Sequence, residues 1–175
     1  MLGIRRYQGT AIDLWQGDLK KFLCDASVVF FPAGSQVPSL PPLAGLPAGE
    51  AMILPGKDGG YPSTHLIAVA YSQIAEIEDR SKLGTVLESY ANALAFAASL
   101  GVRHVAMAVP QSEKLGDLYG SLAMVALKSF LDEAAARTSS GRTPSVPKRI
   151  TLVMESLPVY DCFQAQLFAA FADMP

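Results

Sequence analysis

The sequence predicts an α/β protein of three layers, α/β/α, built around a mixed and largely parallel central sheet, and three observations predict it. Apolar runs of strand length recur along the chain. From His65 onward they alternate with stretches of helical periodicity, which implies right-handed crossovers and parallel strands with helices on both sides. The length, 175 residues, is that of one domain, so 1–175 is read as a single unit.

The first strand is Thr10 to Gln16, where Ile12 and Leu14 alternate with Asp13 and Trp15 until Gly17-Asp18 stops the run. The second, Ala26 to Phe31, is continuously apolar, as expected of a strand covered on both faces, and Pro32 ends it. Residues 32–62 then hold seven of the 12 prolines and six of the 14 glycines with hardly any charge. This reads as a long loop, functional or mobile, with Ala51 to Leu54 as a short strand inside it. Lys57-Asp58-Gly59-Gly60 reads as a turn.

His65 to Tyr71 is a third buried strand. Over Ser81 to Leu100, the residues Leu83, Val86, Leu87, Tyr90, Leu94 and Ala97 share one helical face, and Gly101 is the stop signal. Val102 to Val109 is a strand closed by Pro110. Asp117 to Ala136 is a second long helix, apolar nearly all round through Leu127, so its first half is expected to be buried. Thr138 to Pro147 is a linker, Ile150 to Met154 a strand, and Pro158 opens a final helix with Tyr160, Phe163, Leu167 and Phe171 on one face.

Composition narrows the function classes. Half the residues are hydrophobic, and 14 Lys and Arg stand against 16 Asp and Glu, with no basic run longer than two, a poor footprint for a nucleic acid duplex. No apolar stretch reaches the ~20 residues of a bilayer span and no signal layout opens the chain, so no membrane partner and a cytoplasmic location are expected. Cys24 and Cys162 are too few and too far apart for a disulfide framework or a zinc site, and read as small buried hydrophobes. His65 and His104 have no companions at metal-ligand spacing and read as structural. The glycine-rich loops of nucleotide-binding α/β proteins and the Gly-x-Ser-x-Gly elbow are absent, and no metal or cofactor is expected.

One pattern remains. Ala11-Ile12-Asp13-Leu14-Trp15-Gln16-Gly17-Asp18-Leu19, followed by Asp25-Ala26-Ser27-Val28-Val29, resembles the opening of a macro domain, the ADP-ribose-binding fold. His65-Leu66-Ile67-Ala68-Val69 looks like that family's central strand, and Tyr90 to Leu94 followed by Gly101 to Ala106 looks like its helix feeding the next strand. Ile150 to Met154 and Tyr160 to Leu167 resemble its closing strand and helix. The resemblance implies a ligand cleft at the carboxyl ends of the strands, lined by Asp18, Leu19, Phe31, Pro32, Ala33, Gly34, Val109, Pro110, Gln111, Ser112 and Gly116. It implies that Asp18 accepts the adenine amino group, while the residue by itself reads equally as the N-cap of the following turn.

The chain departs from the family at several places. Val29-Phe30-Phe31-Pro32 stands where the family has Asn-Ala-Ala-Asn, so proline replaces the asparagine that touches the distal ribose. Ala33-Gly34-Ser35-Gln36 replaces a glycine run, and Pro110 to Gly116, with Glu113 in it, replaces the second glycine-rich loop. The expectation is a module that binds a nucleotide or ADP-ribose-related ligand without hydrolysing it. Two alternatives are an interaction or structural domain using the apolar loop 32–62, with Val37, Leu40, Leu43 and Leu46, and a divergent hydrolase using Asp18, Glu113 or Asp117.

Overall fold

The computed structural model describes residues 3–35, 45–74, 80–141 and 145–171. Its order is β1 (Arg5–Tyr7), β2 (Thr10–Gln16), β3 (Ala26–Pro32), β4 (Ala51–Pro55), β5 (His65–Tyr71), α1 (Arg80–Ser99), β6 (His104–Ala108), α2 (Gly116–Ser139), β7 (Arg149–Met154) and α3 (Leu157–Ala170). The sheet runs β1-β2-β7-β6-β3-β5-β4. Its inner pairs β2/β7, β7/β6, β6/β3 and β3/β5 are parallel, whereas the edge pairs β1/β2 and β4/β5 are antiparallel. This is the mixed, mostly parallel α/β architecture that the sequence predicts.

β1 is absent from the sequence reading. It reaches β2 through a two-residue turn, Gln8-Gly9, in which both residues have positive φ (49° and 82°), the geometry that matches the natural twist of a hairpin. The Tyr7 hydroxyl then donates to Asp132 on α2 at 2.5 Å, fixing the edge to the helical layer.

Among the described residues the three α-helices lie on one face rather than on both sides. There Ile12, Val28, Ile67, Val105, Met107, Ile150 and Leu152 meet Tyr90, Leu94, Leu127, Phe163 and Leu167 in one continuous core. The opposite layer is thinner. Its described part consists of a 3-10 turn at Leu19–Lys21, another at Gly56–Gly59, and the chain around β4. Within 32–62 the expected short strand is β4, and Lys57 to Gly60, where a plain turn is expected, falls at the second 3-10 turn. Leu46, Met52, Leu54 and Tyr61 pack on Phe31, Leu66, Ala68 and Ala70, so these apolar side chains are directed inward. Asn92 of α1 donates to the Gly49 carbonyl and holds the segment down. Val37, Leu40 and Leu43 lie outside the described residues, as does Gln36.

The first half of α2 is not buried all round. Val125 is 53% exposed because it faces away from the sheet, between α1 and α3. β6 is shorter than the apolar run around it, with Val102, Val109 and Pro110 buried beyond its ends.

Candidate functional site

The carboxyl ends of β2, β7 and β6 stand side by side, and open α/β sheets take ligands at that edge. A recess of about 150 Å³ lies there. Ala108, Val153 and Met154 are its strand-end residues, Leu19 and Tyr61 belong to the outer layer, and Gly17, Asp18, Gln111 and Glu155 complete it. A larger groove of about 460 Å³ runs between α1 and α2, lined by residues such as Ala91, Ala95, Val125 and Phe130. It shares no residue with the strand ends.

Gly17 follows from packing. The Trp15 indole folds back over it so closely that a β-carbon at Gly17 would lie 2.6 Å from the ring. Trp15 also packs on Phe22, with ring centroids 4.9 Å apart, so both ends of the Leu19–Lys21 turn are held against the sheet. Asp18 enters in extended conformation, and its Oδ1 accepts from the Lys20 N–H at 3.0 Å. Asp18 therefore caps the turn, one of its two readings, and it also lines the recess. Its Oδ2 has no hydrogen-bond partner among the described residues. A carboxylate so placed can still accept an N–H from outside.

Tyr61 has its phenol pushed above the ordinary value, first by burial and then by the charge of Asp18, and is a neutral hydroxyl at physiological pH. The Lys20 ammonium lies 5.5 Å from the Tyr61 ring centroid. On the opposite side the Gln16 amide donates to the Glu155 carbonyl at 3.2 Å. The Ser156 hydroxyl accepts from the Val159 N–H at 3.5 Å to cap α3, and it donates to the Glu113 carboxylate at 2.8 Å. Glu113 thereby ties the loop after β6 to the first turn of α3.

Of the sequence-predicted residues, Asp18, Leu19 and Gln111 come together in this recess. Phe31 points into the thin layer. The Pro32 carbonyl accepts from Ser35 N–H (3.0 Å) and Ser35 Oγ (2.6 Å), leaving Ala33 and Gly34 exposed at the tip of a turn. Val109 and Pro110 are buried, and Ser112 is half-buried. Gly116 is buried where α2 meets α3, and a β-carbon there would lie 2.9 Å from the Cys162 sulfur, so helix packing accounts for the glycine. Sequence reasoning missed Tyr61 and Glu155. Glu155 directly follows a parallel strand and was findable from that position; Tyr61 carries no local signal.

A second polar group lies on the same face of the sheet, toward the amino ends of its strands. Buried Asp13 accepts from Thr151 Oγ1 at 2.6 Å and from Arg149 Nη2 at 2.5 Å, and His104 Nε2 is 2.8 Å from Thr151 Oγ1. Since the threonine hydrogen goes to Asp13, His104 donates from Nε2, which fixes its tautomer. Burial, then the Arg149 charge, pull the His104 imidazole below its ordinary value. Cys24 has its thiol pushed up by burial and lies 3.5 Å from Ser27 Oγ, an arrangement of packing rather than reactivity.

No protein-family model and no curated protein sequence matches the chain. Solved structures do. The Oceanobacillus iheyensis macrodomain with MES bound superposes with TM-score 0.71 at 16% identity, over 95% of each chain. The macro domain of ganglioside induced differentiation associated protein 2 gives TM-score 0.73 at 18% identity, over 95% of this chain and 87% of its own. A Trypanosoma brucei macrodomain in complex with ADP-ribose gives 0.66 at 13%, over 88% of this chain and 68% of that one. At such identities the likeness speaks for architecture, and it agrees in extent with the sheet and helices described above. The chain has the macrodomain fold.

Proposed function

We propose that this protein is a binding module for a nucleotide or ADP-ribose-related ligand, with Asp18 receiving the N–H of the base and with no hydrolytic role. The observation that carries this reading is the placement of Asp18, which keeps one oxygen on the Lys20 N–H while the other, beside the recess, has no partner among the described residues. Neighbours of the same fold are described with ADP-ribose and with ADP. Two carboxylates that could serve hydrolysis are otherwise engaged: Glu113 accepts from Ser156, and Asp117, in the first turn of α2, faces Cys162, whose thiol is raised by burial and then by that carboxylate. Proline at position 32 offers no amide donor.

Calorimetric titration of ADP-ribose, ADP and AMP tests the reading, with Asp18→Asn as the decisive variant. Asn caps about as well as Asp, so the fold is expected to keep its melting temperature. With its only carbonyl oxygen committed to the Lys20 N–H, its amide would turn a donor toward the donor of the base. Affinity should fall by about 1.5 to 3 kcal/mol, the worth of a hydrogen bond to a charged group. An Asn variant that binds as wild type does, or a wild type that binds neither these three nor adenosine, sinks the reading.

A further inference from the structure

We propose that the site selects a nucleobase or nucleoside without phosphate and disfavours the diphosphate form of the same ligand. The inference rests on the nucleotide reading above and deepens it. Size is the first argument: a recess of about 150 Å³ is smaller than the ~300 to 1,000 Å³ that sites for drug-sized ligands occupy, and suits one ring system better than a dinucleotide-like molecule.

Sign is the second. The charged residues lining the recess are Asp18 and Glu155, both negative, and its other polar side chains, Tyr61 and Gln111, are neutral. Such a lining matches the N–H edges of a base and repels a phosphate placed against it. The third argument is the start of α3. A helix amino terminus next to a strand end would ordinarily favour a phosphate. Here that position is already occupied by the protein's own anion, since Glu113 accepts from the capping Ser156 at 2.8 Å. Two nearby lysines weigh less because both are solvated and neither lines the recess: Lys20 is exposed with its ammonium 5.5 Å from the Tyr61 ring centroid, and Lys114 is exposed on the loop.

The test is a calorimetric series on the intact chain with adenosine, AMP, ADP and ADP-ribose at low and at high salt. Adenosine is expected to bind tightest and ADP about tenfold more weakly at low ionic strength, with the gap narrowing as salt screens the carboxylates. Glu113→Gln keeps an oxygen for the Ser156 hydroxyl, so its melting temperature should hold while the ratio of ADP to adenosine affinity rises several-fold. ADP or ADP-ribose binding the wild type more tightly than adenosine overturns the inference and leaves the proposed function standing. Binding of none of the four overturns both. A ratio that does not move in Glu113→Gln overturns the exclusion assigned to Glu113.

Discussion

Among the described residues, Ile12, Val28, Ile67, Met107 and Leu152 on one face of the sheet are sealed under three helices, while Ala106, Val153, Phe31 and Ala68 on the other lie under 3-10 turns and extended chain. The first face is one continuous apolar core. The second is broken into smaller clusters, with a polar line of His104, Thr151, Asp13 and Arg149 between the strands. The recess lies along the second. Four of its lining residues, Leu19, Tyr61, Ala108 and Val153, belong to the thin layer or to the strand side beneath it. A rigid helical face can fix the strand ends while the lightly covered face supplies the opening, which is how a stable scaffold and an accessible site coexist.

Substitution should separate the two faces by size of effect. Phe163→Ala, at a fully buried position of α3, is expected to cost about 3 to 5 kcal/mol in denaturant unfolding, because the helical face cannot collapse around the void. Asp13→Ala on the other face should cost less, about 2 to 3 kcal/mol. It removes the acceptor of the Thr151 hydrogen, leaving that hydroxyl only its contact with His104, whereas the Arg149 guanidinium, whose side chain is 46% exposed, regains water. Equal losses at the two positions would show that the thin face is as tightly built as the helical one.

The smallest effect is a pH dependence. His104 titrates below its ordinary value in the folded state, so between that lowered value and about 6.5 the unfolded chain binds more protons than the folded one. The stability contributed by neutral His104 is therefore present above about pH 6.5 and is lost as pH falls through this window. His104→Gln should flatten that part of the stability profile when unfolding is followed from about pH 7.5 to about pH 5.5. A variant whose stability falls as steeply as the wild type would place the sensitive group elsewhere.

The same contrast explains what could be read in advance. The helical face was legible because α1 and α3 repeat their apolar residues at one helical period and β3 and β5 are continuous apolar runs. Such signals are local. β1 escaped notice because a three-residue edge strand containing Arg5 and Arg6 has no period to detect, and only the Gln8-Gly9 geometry reveals it. The thin face depends on partners far apart in the chain: Thr151 and Asp13 are separated by 138 residues and Ser63 and Ser27 by 36. For Asp18 the sequence offers a capping reading and a ligand-contact reading, and the structure shows the cap beside a recess, an arrangement that no sequence pattern specifies. Gly116 has a packing role that depends on a distant residue. A glycine beside a strand end looks like a ligand loop until the Cys162 sulfur is found against it.

The position of β7 has a consequence for how the molecule comes together in time. It is the last strand in sequence, yet it sits between β2 and β6, hydrogen-bonded to both. The hairpin of β1 with β2 can form as soon as its few residues exist. Joining it to the β6-β3-β5-β4 block must wait until the chain has been made as far as Met154, because no other strand among the described residues bridges them. Until then β2 and β6 each present an open hydrogen-bonding edge, and pairings over such long separations close slowly. During synthesis the protein is in effect two half-sheets awaiting a keystone. The interval before β7 emerges is when mispairing with another nascent chain is most favoured.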